Sequence, residues 1–393
     1  MSAIVTAATP NRRGSSKLGV PPDLTTEGHL ARPKGSQAVD IDYGQFPAVS
    51  SEAYFRAATA TLATQPSTMK AERTAELLKQ HYGLSGLHST LSSELERTEM
   101  VELSDGRRLI FKTSTQPEAI DSFRFQSAAI AGVQGGAGFV TPTILRTKSK
   151  ALMFEEDGVC GYVQNWVAGV PLHQANITPD LLFRTGSALG RLNRALEVIN
   201  TPAIHRPILW HIGCWPRLLE LEQYLPSGLV ADNVRAAMSN YIECVEPQLS
   251  GLAWQVTHND PSPFNTLVTE NGLSFIDFGD GCWGPRIQDL AIAASHLVND
   301  PTLALGGAEY LIAGYASVIP LSAQEAKLLV GLMRARQSAL ILINYWRSHL
   351  FPDEAQYIKK NVARAERGLS ILAPLGAVDA ERAVLTATNL LSI

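Results

Sequence analysis

From about Ser50 onward, apolar residues recur at helical spacing, interrupted by a few short runs that read as strands. The first such helix is Lys70 to Tyr82, which Gly83 ends, because glycine accepts the left-handed backbone a helix stop needs. Arg97 to Leu103 and Arg107 to Lys112 then flank Ser104, Asp105 and Gly106, a pattern that predicts a β-hairpin. Glu118 to Ala131 carries Ile120, Phe123, Ala128 and Ile130 on one helical face, and a glycine-rich link over Gly132 to Gly138 leads to strands at Leu152 to Glu155 and Tyr162 to Val167. Beyond Gly169 the pattern is mostly helical: Leu181 to Val198, Leu229 to Val245, Pro285 to Val298, Leu303 to Ala316, Ala323 to Ser348 and Asp353 to Leu372. A compact loop-and-strand block at Trp254 to Phe278 interrupts this series. The expected fold is therefore α+β in two lobes. A small N-terminal lobe over 49–168 holds an antiparallel sheet and one helix, and a larger, mostly helical C-terminal lobe spans 169–393.

Residues 1–48 lack such periodicity, and Pro10, Pro21, Pro22, Pro33 and Pro47 break any pattern, so a disordered tail is expected there. Arg12 and Arg13 are followed by Gly14, Ser15, Ser16 and Lys17, not by the apolar stretch a twin-arginine signal needs. Of the 393 residues 45% are hydrophobic and 18% charged, enough apolar content for a packed core. A net charge of −4 excludes an obligate basic nucleic-acid binder, and no run of 18 apolar residues suggests a membrane span. The four cysteines form no CxxC pair, which fits a reducing, cytoplasmic setting with neither a zinc knuckle nor a redox dithiol. Oligomeric state leaves no mark on the sequence.

The informative chemistry lies in VTHNDPSPFNTLVTENGLSFIDFGDG, Val256 to Gly281. His258, Asp260 and Asn265 stand in H-x-D-x4-N spacing on a loop stiffened by Pro261 and Pro263. Asp277, Phe278 and Gly279 close the apolar run Leu273 to Ile276. In order, the two patterns match the catalytic loop and D-F-G element of kinase-type phosphoryl transfer. That chemistry needs an oxygen base beside the attacking hydroxyl and oxygen ligands for magnesium. Asp260 is expected as the base, Asn265 and Asp277 as magnesium ligands, and His258 as a member of the catalytic loop that holds it. Lys112, at the end of the hairpin, would supply the cation for the nucleotide phosphates. On the following helix Gln126 stands at the inward position, with the acidic Glu118 and Asp121 nearer its start. Trp283 and Arg286 follow the metal aspartate and are candidates for the acceptor pocket, and Asp280 could pair with a substrate ammonium. No Gly-Lys dipeptide occurs, which excludes a Walker A loop, and Gly132 to Gly138 lacks the G-x-G-x-x-G order.

These residues resemble the aminoglycoside phosphotransferase and choline kinase superfamily, which has a protein-kinase-like fold. The hydroxylysine kinase branch is the most similar. HNDPSPFNTLV, IDFGDG and DLAIAAS (Asp289 to Ser295) carry the likeness, with LSSELER (Leu91 to Arg97), DGRRLIFKTS, NWVAGVPL and LGRLNRAL upstream. The resemblance implies that Asp289 braces the catalytic loop, that Ser92 and Ser93 sit in the turn over the nucleotide, and that Gln164 to Val167, including Asn165 and Val167, read the nucleobase. It departs from the branch at Asn193, where a histidine is common, and at Gln126, where some relatives have glutamate.

The expected function is transfer of the γ-phosphate of ATP or GTP, with Mg2+, to the hydroxyl of a small amine-bearing metabolite or amino acid, 5-hydroxylysine leading. Acceptors of the homoserine, ethanolamine, choline or antibiotic type remain open, as does a nucleotide-binding pseudokinase scaffold. No nucleic acid or membrane partner is expected.

Overall fold

The structure is a computed structural model that describes residues 50–64, 69–93 and 95–390. The expectation of a tail over 1–48 lies outside the described residues.

Helix α1 (Ser51–Leu62) opens on Ser50, whose hydroxyl accepts from the Ala53 amide at 3.2 Å. Helix α2 (Ala71–Tyr82) stops at Gly83 with φ 71°, where the sequence places the break. The hairpin follows as β2 (Arg97–Leu103) and β3 (Arg108–Ser114), turning through Gly106 at φ 82°. Before it runs β1 (Gly86–Leu91), an edge strand exposed along most of its length and without the apolar alternation that would have announced it. After it come α3 (Glu118–Val133), β4 (Ile144–Leu145), β5 (Phe154–Glu156) and β6 (Val159–Asn165). The six strands form one antiparallel sheet in the order β1-β2-β3-β6-β4, with β5 also on β6.

Register decides what each face carries. Lys112 pairs with Thr98 on one side and Tyr162 on the other, so Lys112 and Tyr162 share a face. Helix α3 covers that face: Phe123 meets Tyr162 edge-on at 5.4 Å. The opposite face presents Val101, Leu109, Phe111 and Val163 to Leu77 and Leu78 of α2, forming a separate apolar cluster. A lysine in a central strand is thereby carried into the interior beside α3, with 6% of its surface exposed.

The larger part begins with β7 (Val170–Pro171), α4 (Pro179–Leu196) and α5 (Leu229–Asn240). The block of β8 (Trp254–Thr257), β9 (Thr266–Thr269), β10 (Gly272–Phe275) and β11 (Cys282–Pro285) follows. Helices α6 (Ile287–Ser295), α7 (Glu309–Ala316), α8 (Ala323–Leu350), α9 (Ala355–Ile358), α10 (Val362–Leu372) and α11 (Ala377–Ala387) complete it. Strands β10-β9-β7 make one small sheet and β11-β8 another. Val140 bonds to Leu273 and Phe275 and ties the first segment to β10. Helices α4 and α7 approach so closely that a Cβ on Gly314 would lie 1.8 Å from the Phe183 carbonyl, so a side chain there is excluded. Helix α8 is buried on nearly all sides and serves as the central post of this part. Its start is fixed by a capping box between Ser322 and Glu325.

Two expected helices differ. The one placed at Leu303 to Ala316 begins at Glu309, because Gly306 and Gly307 leave the helical region at φ 68° and 107° and the Glu309 carboxylate caps the amides of Leu305 and Gly307. The one placed at Asp353 to Leu372 is broken into 3₁₀ and α pieces, with the weak helix former Asn361 just before α10. None of the described helices is long and apolar enough to cross a membrane.

Buried neutral histidines give this part an acid limit. His211 accepts from the Gly213 amide through Nδ1 at 3.0 Å and donates from Nε2 to the Trp283 carbonyl at 2.8 Å. Burial pulls its pKa from 6.5 down to about 4. Between those values the unfolded chain binds more protons than the folded one, so stability rises with pH through the window and is lost as pH falls from 6.5 towards 4. The full loss from this group is about 3 kcal/mol at ~1.36 kcal/mol per pKa unit. Urea titrations across that window should show the midpoint falling with pH and a shallower dependence in His211→Gln; an identical slope in the variant would remove the assignment.

Candidate active site

The chain leaves β8 at Thr257 and turns through His258 to Asn265 before entering β9. Asn259 within that turn has φ 61°, a left-handed conformation that costs a non-glycine residue about 1 kcal/mol or more. It is held there by Asp289, in the first turn of α6. The Asp289 carboxylate accepts from the His258 amide at 3.0 Å, the Asn259 amide at 2.8 Å and Asn193 Nδ2 at 2.7 Å. Tyr315 donates to Asn193 Oδ1 at 2.8 Å, and Gln288 donates to Asn259 Oδ1 at 2.6 Å. Asp289 is fully buried, and burial pushes its carboxyl up to about 6 against the opposing pull of its three donors.

The loop presents Asp260. Its Oδ2 accepts from Asn265 Nδ2 at 2.6 Å, and its Oδ1 lies 3.3 Å from Arg336 Nη2. Asn265 is in turn stitched to the strand before Asp277, since its carbonyl accepts from the Ile276 amide at 2.9 Å. His258, grouped with Asp260 as a candidate of the catalytic loop, is placed to hold that loop and not to meet a substrate. It is wholly buried, its Nδ1 faces the Asp260 amide at 3.3 Å and its Nε2 faces the Ile276 carbonyl at 3.1 Å. Burial lowers its pKa to about 4, so it is a neutral strut between loop and strand with both ring nitrogens engaged.

Asp277, at φ 63°, is the second left-handed residue of the site. Lys112 Nζ lies 2.8 Å from Asp277 Oδ1, 3.1 Å from Gln126 Oε1 and 3.1 Å from Glu96 Oε2. Burial alone would depress the lysine, yet Asp277 and Glu96 carry its pKa well above the usual value. Lys112 correspondingly holds the Asp277 carboxyl below the ordinary carboxylate range. Because 51% of that side chain is exposed, solvent screens part of the effect.

Glu96 is the residue that the sequence pattern did not disclose: the lysine's acidic partner comes from the turn between β1 and β2, not from α3. Gln126 links the two by donating to Glu96 Oε1 at 2.6 Å while accepting from Lys112 and from the Tyr162 hydroxyl. Arg206 is another unannounced contributor; it donates to the Gly279 carbonyl at 2.6 Å and stacks 4.2 Å from the Phe125 ring.

The remaining candidates separate. Ser92 and Ser93 lie in the β1–β2 turn that also carries Glu96. Asn165 ends β6, its amide bonded to the Thr143 carbonyl at 3.0 Å, and Val167 follows it, partly exposed. Asp280 lies within electrostatic reach of Arg206 and Arg336. Trp283 sits on β11 with its indole packed against the main core.

Arg286 does not join the site. Its guanidinium is bound through two nitrogens to Glu325, at 2.8 and 3.0 Å, at the start of α8. That is 11 residues, or about 16 Å along the helix, from Arg336. Arg286 thus anchors the start of α8 and is not held towards Asp277 as an acceptor-pocket residue.

Among the described residues no group of three or more His, Cys, Asp or Glu forms a metal cage. A magnesium ion needs only one or two carboxylates when substrate phosphates complete its shell. The donor set fits that ion: Asp277 offers a partly exposed carboxylate, and Asn265, whose amide nitrogen is committed to Asp260, keeps its amide oxygen as a further hard ligand.

A family model described as the phosphotransferase enzyme family matches residues 91–321, more than half of the chain. Hydroxylysine kinase of Mus musculus is 25% identical over 269 residues, 63% of this chain and 70% of that protein. Hydroxylysine kinase of Danio rerio is 24% identical over 330 residues, 78% of this chain and 92% of that one. Two solved structures share the fold. An amicoumacin kinase in complex with AMP-PNP, Ca2+ and Ami superposes with TM-score 0.57 at 12% identity, covering 75% of this chain and 93% of that one. A microcompartment-associated aminopropanol kinase superposes with TM-score 0.52 at 18% identity, covering 81% and 98%. The architecture is thus the two-lobed, kinase-like α+β fold expected from the sequence.

Removing the Asp289 carboxylate should loosen the whole loop. Asp289→Ala leaves two buried amides without acceptors, and we expect a loss of about 2 to 5 kcal/mol in denaturant titrations, with Asp289→Asn retaining part of it. An unshifted midpoint in the alanine variant would mean that the loop is held by other contacts.

Proposed function

We propose, from the premise that this chain belongs to the phosphotransferase enzyme family, that it is a magnesium-dependent kinase. It moves the γ-phosphate of ATP or GTP to a hydroxyl of a small amine-bearing metabolite, with 5-hydroxylysine as the leading acceptor. The observation that carries this reading is the pairing of Lys112 with Asp277 at 2.8 Å beside an Asp260 held by Asn265 at 2.6 Å. A lysine from the sheet and a carboxylate from the D-F-G element meet where phosphates need a cation and a metal needs an anion. The names of the curated relatives support the choice of acceptor.

In this reading Asp260 takes the proton of the acceptor hydroxyl as that oxygen bonds to the γ-phosphorus and the bond to the nucleoside diphosphate breaks. Asn265 and Arg336 hold the carboxylate in place, so little reorganisation is needed as the proton arrives. Lys112 carries the positive charge for the phosphate oxygens, and Glu96 and Gln126 orient its ammonium. Asp277 and Asn265 would hold magnesium, which when bound neutralises phosphate charge. His258 stays neutral and keeps Asp260 in register with Ile276.

Two substitutions test the roles. Asp260→Asn should lower turnover by roughly 10² to 10⁴, the usual contribution of a positioned base, with nucleotide binding retained; unchanged turnover would remove Asp260 as the base. Asp277→Ala should abolish the magnesium-dependent part of nucleotide binding measured by calorimetry, and normal affinity in that variant would count against its metal role. A nucleoside-diphosphate release assay over hydroxylated amino acids, amino alcohols and aminoglycosides decides the acceptor class. A pseudokinase scaffold would turn over none of them.

A further inference from the structure

Arg206 is a buried cation that no carboxylate holds directly. It is 8% exposed, and among the described residues Asp280 and Glu96 attract it only from farther off, without an ion pair. Its hydrogen-bond acceptors are two backbone carbonyls. Nη1 donates to Ala203 at 3.2 Å, in the turn that carries the arginine, and Nη2 donates to Gly279 at 2.6 Å, in the D-F-G element. A guanidinium withdrawn from water for two neutral acceptors gains less than one paired with a carboxylate, so packing alone would be served as well by an apolar side chain of similar length.

The residue that Arg206 grips is also the one that touches the Asp277 carboxylate. The Gly279 amide donates to that carboxylate, and a Cβ on Gly279 would lie 3.3 Å from Asp277 Oδ1. Gly279 is therefore held at its amide end by Asp277 and at its carbonyl end by Arg206. Asp277 needs such support, because a left-handed residue that is not glycine persists only where its surroundings over-determine it. The turn is fixed from a second side by Phe125 of α3. A Cβ on Gly281 would meet that ring at 2.3 Å, and the Arg206 guanidinium lies 4.2 Å from the centre of the same ring.

Arg206 is itself tied from outside the site. Its carbonyl accepts from the Tyr54 hydroxyl at 2.8 Å, and the Tyr54 oxygen accepts from the Ile208 amide at 3.3 Å. Tyr54 belongs to α1, so a helix that contributes no side chain to the chemistry reaches Asp277 in three steps, through Arg206 and Gly279.

We infer that Arg206 is a positioning residue for the Asp277 carboxylate: it clamps Gly279 against α3 and so holds that carboxylate in the orientation a magnesium ion needs, with α1 as the outer anchor of the clamp. The metal role of Asp277 in this inference rests on the kinase reading.

The test compares the full wild-type chain with Arg206→Met, which keeps an unbranched side chain over Phe125 and removes the donors. In one arm, hydrogen–deuterium exchange without nucleotide or metal should show the amides of Gly279 and Gly281 exchanging about tenfold faster, while those of α6 and α8 keep their rates. In the other arm, calorimetry with a non-hydrolysable nucleotide measures affinity with and without magnesium. The tightening that magnesium confers should fall by about 5- to 30-fold, part of the worth of a hydrogen bond from a charged group, while the metal-free affinity stays within about twofold of wild type. Tyr54→Phe leaves Arg206 in place and frees its carbonyl; it should move both readings the same way by a smaller factor, and it decides the matter if the methionine variant does not fold.

Wild-type exchange in the turn of the folded variant, or exchange faster throughout the chain, would overturn the clamp. Faster exchange confined to the turn with an undiminished magnesium effect would overturn the positioning role and leave the kinase reading intact. A wild-type chain whose nucleotide affinity does not respond to magnesium would overturn the kinase reading and, with it, the role given to Arg206.

Discussion

One buried carboxylate sets the geometry on which the chemistry depends. Asp289 gathers two consecutive backbone amides and the Asn193 side chain into a single hydrogen-bonded centre, and the loop that carries Asp260 is wrapped around it. The left-handed turn at Asn259 is the cost of that wrapping, and the amide bonds to Asp289 offset it. Because Asp289 is the third residue of α6, the loop inherits the rigidity of a helix wholly buried along its length. Asn193 extends the same network to α4, and Tyr315 extends it to α7. Where this chain has asparagine in place of the family's common histidine, the amide serves both ends: its nitrogen reaches Asp289 and its oxygen takes the tyrosine hydroxyl.

The second half of the site is organised by charge rather than by backbone. Lys112 is brought to the crevice by strand register, Asp277 by the left-handed exit after β10, and the two meet across a sequence distance that only the fold closes. A buried ammonium with a single anion would be poorly compensated, and here Glu96 and Gln126 complete its shell. An uncharged Gln126 on α3 therefore does not leave the lysine without a carboxylate: the charge comes from the turn beside Ser92 and Ser93, and the glutamine bridges the two.

Much of this was legible in the chain itself. The hairpin, the stop at Gly83, the helix carrying Gln126 and the grouping of Asp260, Asn265 and Asp277 all follow from spacings of a few residues, where local pattern and chemistry coincide. What escaped notice depends on pairings between distant segments. Glu96 has no local feature to distinguish it from other surface acids, and Arg336 stands in mid-helix between Ala335 and Gln337 with nothing local to mark it. It touches Asp260 across 76 positions. Arg286 misled for the opposite reason: proximity in sequence to Asp277 placed it near the site, while β11 carries the chain away to Glu325. His258 belongs to the motif by spacing, yet its full burial makes it a structural member.

Helix α8 joins two features that otherwise look unrelated, the capping box with its Arg286 pair at one end and the Arg336 contact midway along. Fourteen residues, or about 21 Å, separate Ser322 from Arg336. A rod of that length behaves as a lever: a swing of about three degrees at the capped end displaces the guanidinium by about 1 Å, on the scale at which misplacement degrades reacting geometry. The setting of the guanidinium beside Asp260 thus depends on how the far, capped end of α8 is pinned.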